Sequence, residues 1–333
     1  MLVSRSGLLR NICAALLLGI TCTSAPALAA DITITHARGE TVLHDTPRRV
    51  AVFDLATLDN INALGVDAVA GVPKGADGKG NFPPYLSKYA DARYQNIGTL
   101  FEPDKAALAA LKPDLIVIAG RSSRNYDALA GIAPTIDGLS AGKDVAAAAI
   151  EATRKLGQIF DVADRAEARI DKFEALLAQL HTQAEKAGTG LLLFTAGQNI
   201  SVHAPGDRFG HVYDFVGIRP AVAAVTPAPS GPRPAAGSPE AEAARQKQQE
   251  ALAAAMATNP DWIFVIDRTA ATSATPGTIA EKLAADDHIT ATSAWKSGRM
   301  IYLDPKVWYL VGAGIDGLSA SATATLAALR TQQ

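Results

Sequence analysis

Cysteine occurs only twice in the 333 residues, as Cys13 and Cys22. Both precede residue 30, so the rest of the chain has no disulfide, no thiolate metal site and no cysteine nucleophile. Charge of one sign is lacking too. Lys and Arg number 31 against 33 Asp and Glu, a formal charge of −2. That balance gives no electrostatic basis for binding nucleic acid or for a polybasic membrane anchor. Aromatics make up only 6% and alanine is abundant, so propensity alone overstates helix. The six histidines (36, 44, 181, 203, 211 and 288) show neither i, i+4 nor H-E-x-x-H spacing, which argues against a zinc or manganese site. No G-x-x-x-x-G-K-[ST] phosphate loop occurs. What is present is 48% hydrophobic and 19% charged, a globular composition. At 34.6 kDa the chain is long enough for one or two domains.

The first 29 residues read as a secretory signal peptide. Arg5 and Arg10 precede an apolar stretch over 11–22, and Ala27-Leu28-Ala29 supplies the A-x-A cleavage pattern. A dozen apolar residues fall short of the ~20 that span a bilayer. Cys22 follows Gly19-Ile20-Thr21, a poor lipobox. A soluble, exported protein of a bacterial periplasm is therefore expected rather than a lipid-anchored one.

The remainder alternates strands and helices. Residues 32–45 read as a hairpin turning at Arg38-Gly39, and VAVFD (50–54), VDAVAGV (66–72) and DLIVIAG (114–120) as buried strands. LATLDNINALG (55–65) is helical and stops at Gly65; DKAALAALK (104–112) is a second helix. Continuous apolar strands between helices predict a parallel sheet covered on both faces. Ala166, Ile170, Phe173, Leu177 and Leu180 form one apolar helix face. Asp161 or Asp164 is the candidate cap of that helix, which over 163–187 would be roughly 37 Å long, a strut between lobes. LLLFTAG (191–197), NISVHA (199–204), WIFVID (262–267) and MIYLD (300–304) restart the strands, and 315–330 is a helical tail. The organisation predicted is a signal peptide over 1–29, an N-terminal α/β lobe over 30–140, a helical segment with the strut over 141–187, and a C-terminal α/β lobe over 188–333. Residues 73–95 form a long Gly/Pro/Lys-rich loop, and 224–250 is low-complexity, prolines first and then a charged helical run. LKPDLIVI (111–118) and TNPDWIFVI (258–266) echo each other, one per lobe.

In open α/β sheets ligands bind beyond the carboxyl ends of the strands. Arg121 follows DLIVIAG, Arg268 follows WIFVID, and Arg208 sits in GDRFGHVYD before a helix. Three such arginines describe an anion site, because guanidinium stays charged and donates several directed hydrogen bonds. Singly, each is equally read as a surface ion pair; Asp267 is a ready partner for Arg268. Tyr309, after MIYLD, is either a half-buried phenol or an oxygen ligand for Fe(III). His203 and His211 fall near Arg208 and are weaker candidates.

These blocks have a familiar order. TPRRVAVFDLATLDNINALGVD, LKPDLIVIAGR, GDRFGHVYDFVGI, NPDWIFVIDR and IYLDPKVWYL together resemble the periplasmic substrate-binding proteins of iron–siderophore ABC transporters, in particular those for ferric catecholates of the enterobactin and petrobactin kind. The resemblance covers the whole chain after the leader. It implies the class III periplasmic binding fold: two Rossmann-like lobes joined by a single long helix, with the siderophore between them. It implies that Arg121, Arg208 and Arg268 bind the ligand, matching the three negative charges of a ferric tris-catecholate, and that Tyr309 ligates the iron. The family's iron-ligating histidine has no counterpart, since 219–261 contains none. Tyr309 alone, or Tyr309 with His203 or His211, or a hexadentate siderophore needing no protein ligand, or another anionic chelate, are the alternatives. Glu102, Asp104 and Glu250 are nearest to the acidic residues that dock the family on an inner-membrane permease. The resemblance implies a monomer without intrinsic cofactor that is not an enzyme, with the ferric siderophore as cargo. Haem or cobalamin as ligand, or a periplasmic chelate-processing enzyme, are the rival readings.

Overall fold

The computed structural model of the chain describes residues 31–139, 142–226, 234–235, 237–272 and 279–331. The expected signal peptide with both cysteines, and part of the proline-rich stretch, lie outside these residues.

β1 (Ile32–His36) and β2 (Gly39–Leu43) form the antiparallel hairpin. The first lobe then runs β3 (Val50–Val52), α1 (Leu55–Ala63), β4 (Val69–Val72), β5 (Gln95–Asn96), α2 (Lys105–Leu111), β6 (Leu115–Ile118), α3 (Tyr126–Ala130) and β7 (Thr135–Asp137). Its five strands are all parallel, in the order β5-β4-β3-β6-β7. Alternate residues serve opposite faces. Leu115 and Val117 join the inner core cluster with Leu58 and Ile61, while Ile116 and Ile118 pack outward with Leu108 and Leu129. That double burial is why the central strands β3 and β6 are apolar at every position.

α4 (Val145–Ile159) and α5 (Ala163–Ala184) follow. Both run between the lobes. Leu156 and Ile159 of α4 and Ala166 of α5 belong to the first lobe's core, whereas Ala148 of α4 and Ile170, Phe173 and Leu180 of α5 belong to the second's. The predicted apolar face of α5 is buried throughout. Its predicted cap is not found: Val162 holds the cap position without a side-chain bond, and Asp164 lies in the first turn. Asp161 is instead the reversal between the two helices, at φ 54°, a left-handed position that Asp tolerates better than most residues.

The second lobe runs β8 (Thr189–Ala196), β9 (Asn199–His203), α6 (His211–Val216), β10 (Arg219–Pro220), α7 (Pro239–Ala257), β11 (Trp262–Asp267), α8 (Arg268–Thr272), α9 (Ile279–Ala284), α10 (Asp287–Thr290), α11 (Ser293–Lys296), β12 (Met300–Tyr302), a π-helical turn over Val307–Val311 and α12 (Ile315–Thr331). Its sheet is β10-β8-β11-β12, parallel, with β9 antiparallel on β8. The two Pro-Asp echoes are structural twins. Lys112 and Asn259 both adopt left-handed φ, 49° and 52°. Asp114 then accepts the Arg48 and Arg49 amides at the start of β3 (2.7 and 2.9 Å), and Asp261 accepts the Thr189 amide at the start of β8 (2.8 Å). Each aspartate thereby aligns its strand with the neighbouring one.

The lobes are also joined at α12. Gly312 to Gly317 reads G-A-G-I-D-G, dinucleotide-loop spacing, but a π-helical turn precedes it, not a strand. The anion at this helix start is the protein's own Asp59 of α1, which accepts the Asp316 amide at 2.8 Å and the Gly317 amide at 3.0 Å. A Cβ at Gly314 would lie 2.5 Å from the Asp59 carboxyl carbon, so glycine is what permits the approach. Asn60 adds two bonds, to the Ala313 carbonyl and from the Ile315 amide.

Candidate functional site

The carboxyl ends of β6, β8 and β11 converge on Tyr309 in the π-helical turn. Arg121 reaches it from the first lobe; Arg208 and Arg268 reach it from the second. Their guanidinium carbons lie 5.9, 5.5 and 5.6 Å from the centre of the one phenol ring. Cation–π attraction at such distances, about 0.5–2 kcal/mol each, offsets part of the repulsion among three like charges.

The arginines differ in their partners. Arg121 is half-buried and donates to the carbonyls of Tyr309 (2.8 Å) and Leu310 (3.2 Å) across the crevice. Burial pushes its guanidinium below the ordinary value, with the Arg208 charge acting the same way and Tyr309 and Asp54 opposing. Arg208 and Arg268 are exposed. None of the three forms an ion pair with a carboxylate among the described residues. Asp267, the obvious partner of Arg268, is instead taken by the Thr195 hydroxyl at 3.0 Å and the Thr269 amide at 2.9 Å. Two cations therefore face the crevice without a neutralising side chain, which is how an anion site differs from a surface ion pair.

The floor is aromatic. Phe194 at the end of β8 stacks on Phe209 at 4.8 Å, and both rings approach Tyr309, at 6.1 and 6.4 Å. Sequence reasoning did not single out these two phenylalanines; the signal was an aromatic at the carboxyl end of LLLFTAG and the neighbour of Arg208. The Tyr309 hydroxyl has no hydrogen bond from the described residues and is free to meet a ligand.

The two candidate histidines border the aromatic floor. His203 meets Phe194 and Phe209 edge-on, at 5.5 and 5.4 Å, and His211 stacks on Trp308 at 5.7 Å. Burial lowers both imidazoles from their ordinary value. His203 Nδ1 is buried without a hydrogen-bond partner among the described residues. No cluster of three His, Cys, Asp or Glu able to hold a metal occurs among the described residues. Of the expected docking acids, Glu102 and Glu250 are exposed, while Asp104 caps α2 through the Ala107 amide at 2.9 Å. Gly138 to Gly142 reads G-L-S-A-G, a nucleophile-elbow spacing; its Ser140 lies outside the described residues.

Among the described residues no helix is long and apolar enough to cross a membrane. The family described as "Periplasmic binding protein" matches residues 50–307. The petrobactin-binding protein YclQ of Bacillus subtilis is 33% identical over 86% of this chain and 85% of its own. The ferric-anguibactin-binding protein FatB of Vibrio anguillarum is 27% identical over 87% and 85%. The crystal structure of YclQ superposes with a TM-score of 0.74 over 90% of this chain and 99% of that one. That of the periplasmic catecholate-siderophore binding protein VctP of Vibrio cholerae, 28% identical, also gives 0.74, over 91% and 100%.

Proposed function

The chain belongs to the periplasmic binding protein family, and from that premise we propose that it captures a ferric siderophore of the catecholate class. It would act in the periplasm and hand its cargo to an inner-membrane ABC permease. The observation that carries the reading is the convergence of three arginines, two of them exposed and unpaired, on one tyrosine over an aromatic floor. A ferric catecholate is large, flat-faced and multiply anionic. The guanidinium groups match its charge and donate to its oxygens; Phe194 and Phe209 offer faces to its rings. The crevice excludes part of the water, so each charge pairing is stronger than in bulk solvent.

The protein works as a binder, as its relatives do, and not as an enzyme. Its lobes are taken as 30–140 and 188–333, and Tyr309 as the one iron-directed oxygen, since His203 contacts Phe194 and Phe209 and His211 packs on Trp308. Glu102 and Glu250, one per lobe, are the docking acids we retain; Asp104 is occupied as a cap.

Tryptophan fluorescence tests this directly. Trp308 adjoins Tyr309, so a ferric tetradentate or hexadentate catecholate is expected to quench it at submicromolar concentration. Quenching by haem or a ferric hydroxamate in preference to both catecholates would overturn the ligand class. Hydrolysis of a p-nitrophenyl ester lost on Ser140→Ala would overturn the non-enzymatic reading.

A further inference from the structure

A cavity lies beside the crevice on the side of the first lobe. It is about 310 Å³ and is walled by Leu55, Pro73, Phe82, Leu100, Phe101 and Leu310. Leu310 is common to both places: it lines this cavity and its carbonyl accepts from Arg121. The cavity therefore adjoins the arginine–tyrosine site at Leu310.

Its walls are built rather than incidental. The Asn96 side-chain carbonyl accepts the Lys74 and Gly98 amides, pinning the Gly/Pro-rich loop. The Thr99 hydroxyl accepts the Phe101 and Glu102 amides, and this turn holds Phe101 out at 53% exposure. The far rim is tied to the second lobe, where Asn81 donates to the Ala271 carbonyl (2.8 Å) and Lys306 to the Phe82 carbonyl (2.9 Å). Among the described residues the lining offers no free cation. Lys74 is 4% exposed, and its ammonium donates to the carbonyls of Ala90 and Asp91 at 3.1 and 2.6 Å. Asp77 is the one acid in the lining and disfavours an anion there.

We propose that this cavity receives an uncharged, apolar arm of the chelator, while the anionic iron centre rests on the arginines. The protein would then select chelates whose iron-binding group carries an aliphatic or aromatic substituent. This rests on the ferric-catecholate reading.

The experiment compares three ferric complexes of 2,3-dihydroxybenzamides that share one iron-binding group and differ in the amide substituent: N-methyl, N-hexyl and N-(6-aminohexyl). The N-hexyl complex is expected to bind about tenfold more tightly than the N-methyl one, the gain from burying roughly two methylenes. Phe101→Ser and Leu100→Asp should each abolish that preference and leave N-methyl affinity unchanged. Phe101 is exposed, so its variant folds even if Leu100→Asp does not. Equal wild-type affinity for N-methyl and N-hexyl, a preference surviving in Phe101→Ser, or preference for the ammonium arm would each overturn the subsite while leaving the ferric-catecholate reading intact. Binding of none of the three would overturn that reading, and the subsite with it.

Discussion

Tyr309 is surrounded by positive charge that no carboxylate among the described residues pairs with, and this is the central fact at the scale of single residues. Arg208 and Arg268 are expected to act on ligand alone. Substituting either with alanine should weaken ferric-chelate binding by about 1.5–3 kcal/mol, the range for a hydrogen bond to a charged group, with the melting temperature unchanged; titration calorimetry reads the first and calorimetric scanning the second. Arg121→Ala should lose both affinity and stability, because its two bonds to the Tyr309 and Leu310 carbonyls hold that turn. Asp59 gives a pH signature. Burial lifts its carboxyl from 3.8 to about 6, against hydrogen bonds from Tyr85 and the α12 amides. The folded protein thus holds this proton more tightly than the unfolded chain. That contribution favours folding fully below pH 3.8 and is lost as pH rises through 6. Asp59→Asn should destabilise at every pH by about 1–3 kcal/mol, since an amide nitrogen cannot accept a backbone N–H. The wild-type advantage over it in urea unfolding should shrink between about pH 4 and pH 6.

At the scale of elements, caps and turns explain more than propensity does. Asp54, Asp104 and Asp144 cap α1, α2 and α4. Asp104→Ala should cost about 1 kcal/mol of stability and leave siderophore affinity intact, as urea unfolding and fluorescence titration would show. The Pro-Asp echoes were legible as repeated text; their common task, aligning a strand with its neighbour, needed the partners Arg48, Arg49 and Thr189. The cap of α5 misled because two aspartates flank its start. The tight reversal from α4 needed a residue at φ 54° more than it needed a side-chain acceptor. Phe194 was legible only as core, since a strand buried on both faces does not reveal which end meets a crevice.

At the scale of the molecule, three helices resist opening. α4 and α5 both pass between the cores, and α12 is held to α1 by Asp59, Asn60 and Asn62 and to α5 by Arg169, which donates to Asp316 at 3.1 Å. Hinge opening would have to break these buried and half-buried bonds, so loading should change the lobe angle little. Small-angle scattering curves of the ligand-free and loaded protein are expected to superpose; a clear drop in radius of gyration on loading would refute the rigid joint.

The sequence by itself determined the alternation of strands and helices, the burial of the central strands on both faces and which arginines and tyrosine follow the strand ends. Those properties are local: period, turn residues and side-chain type are written at each position. Only the tertiary structure decided that Arg121, Arg208 and Arg268 meet at one ring, that Asp267 turns away from Arg268, that His203 and His211 are engaged by neighbouring aromatic rings, and that an apolar cavity adjoins the site. Each of these depends on distances between residues far apart in the chain, 189 positions for Arg121 and Leu310, and such distances are set by how two lobes are packed together, not by the residues taken singly.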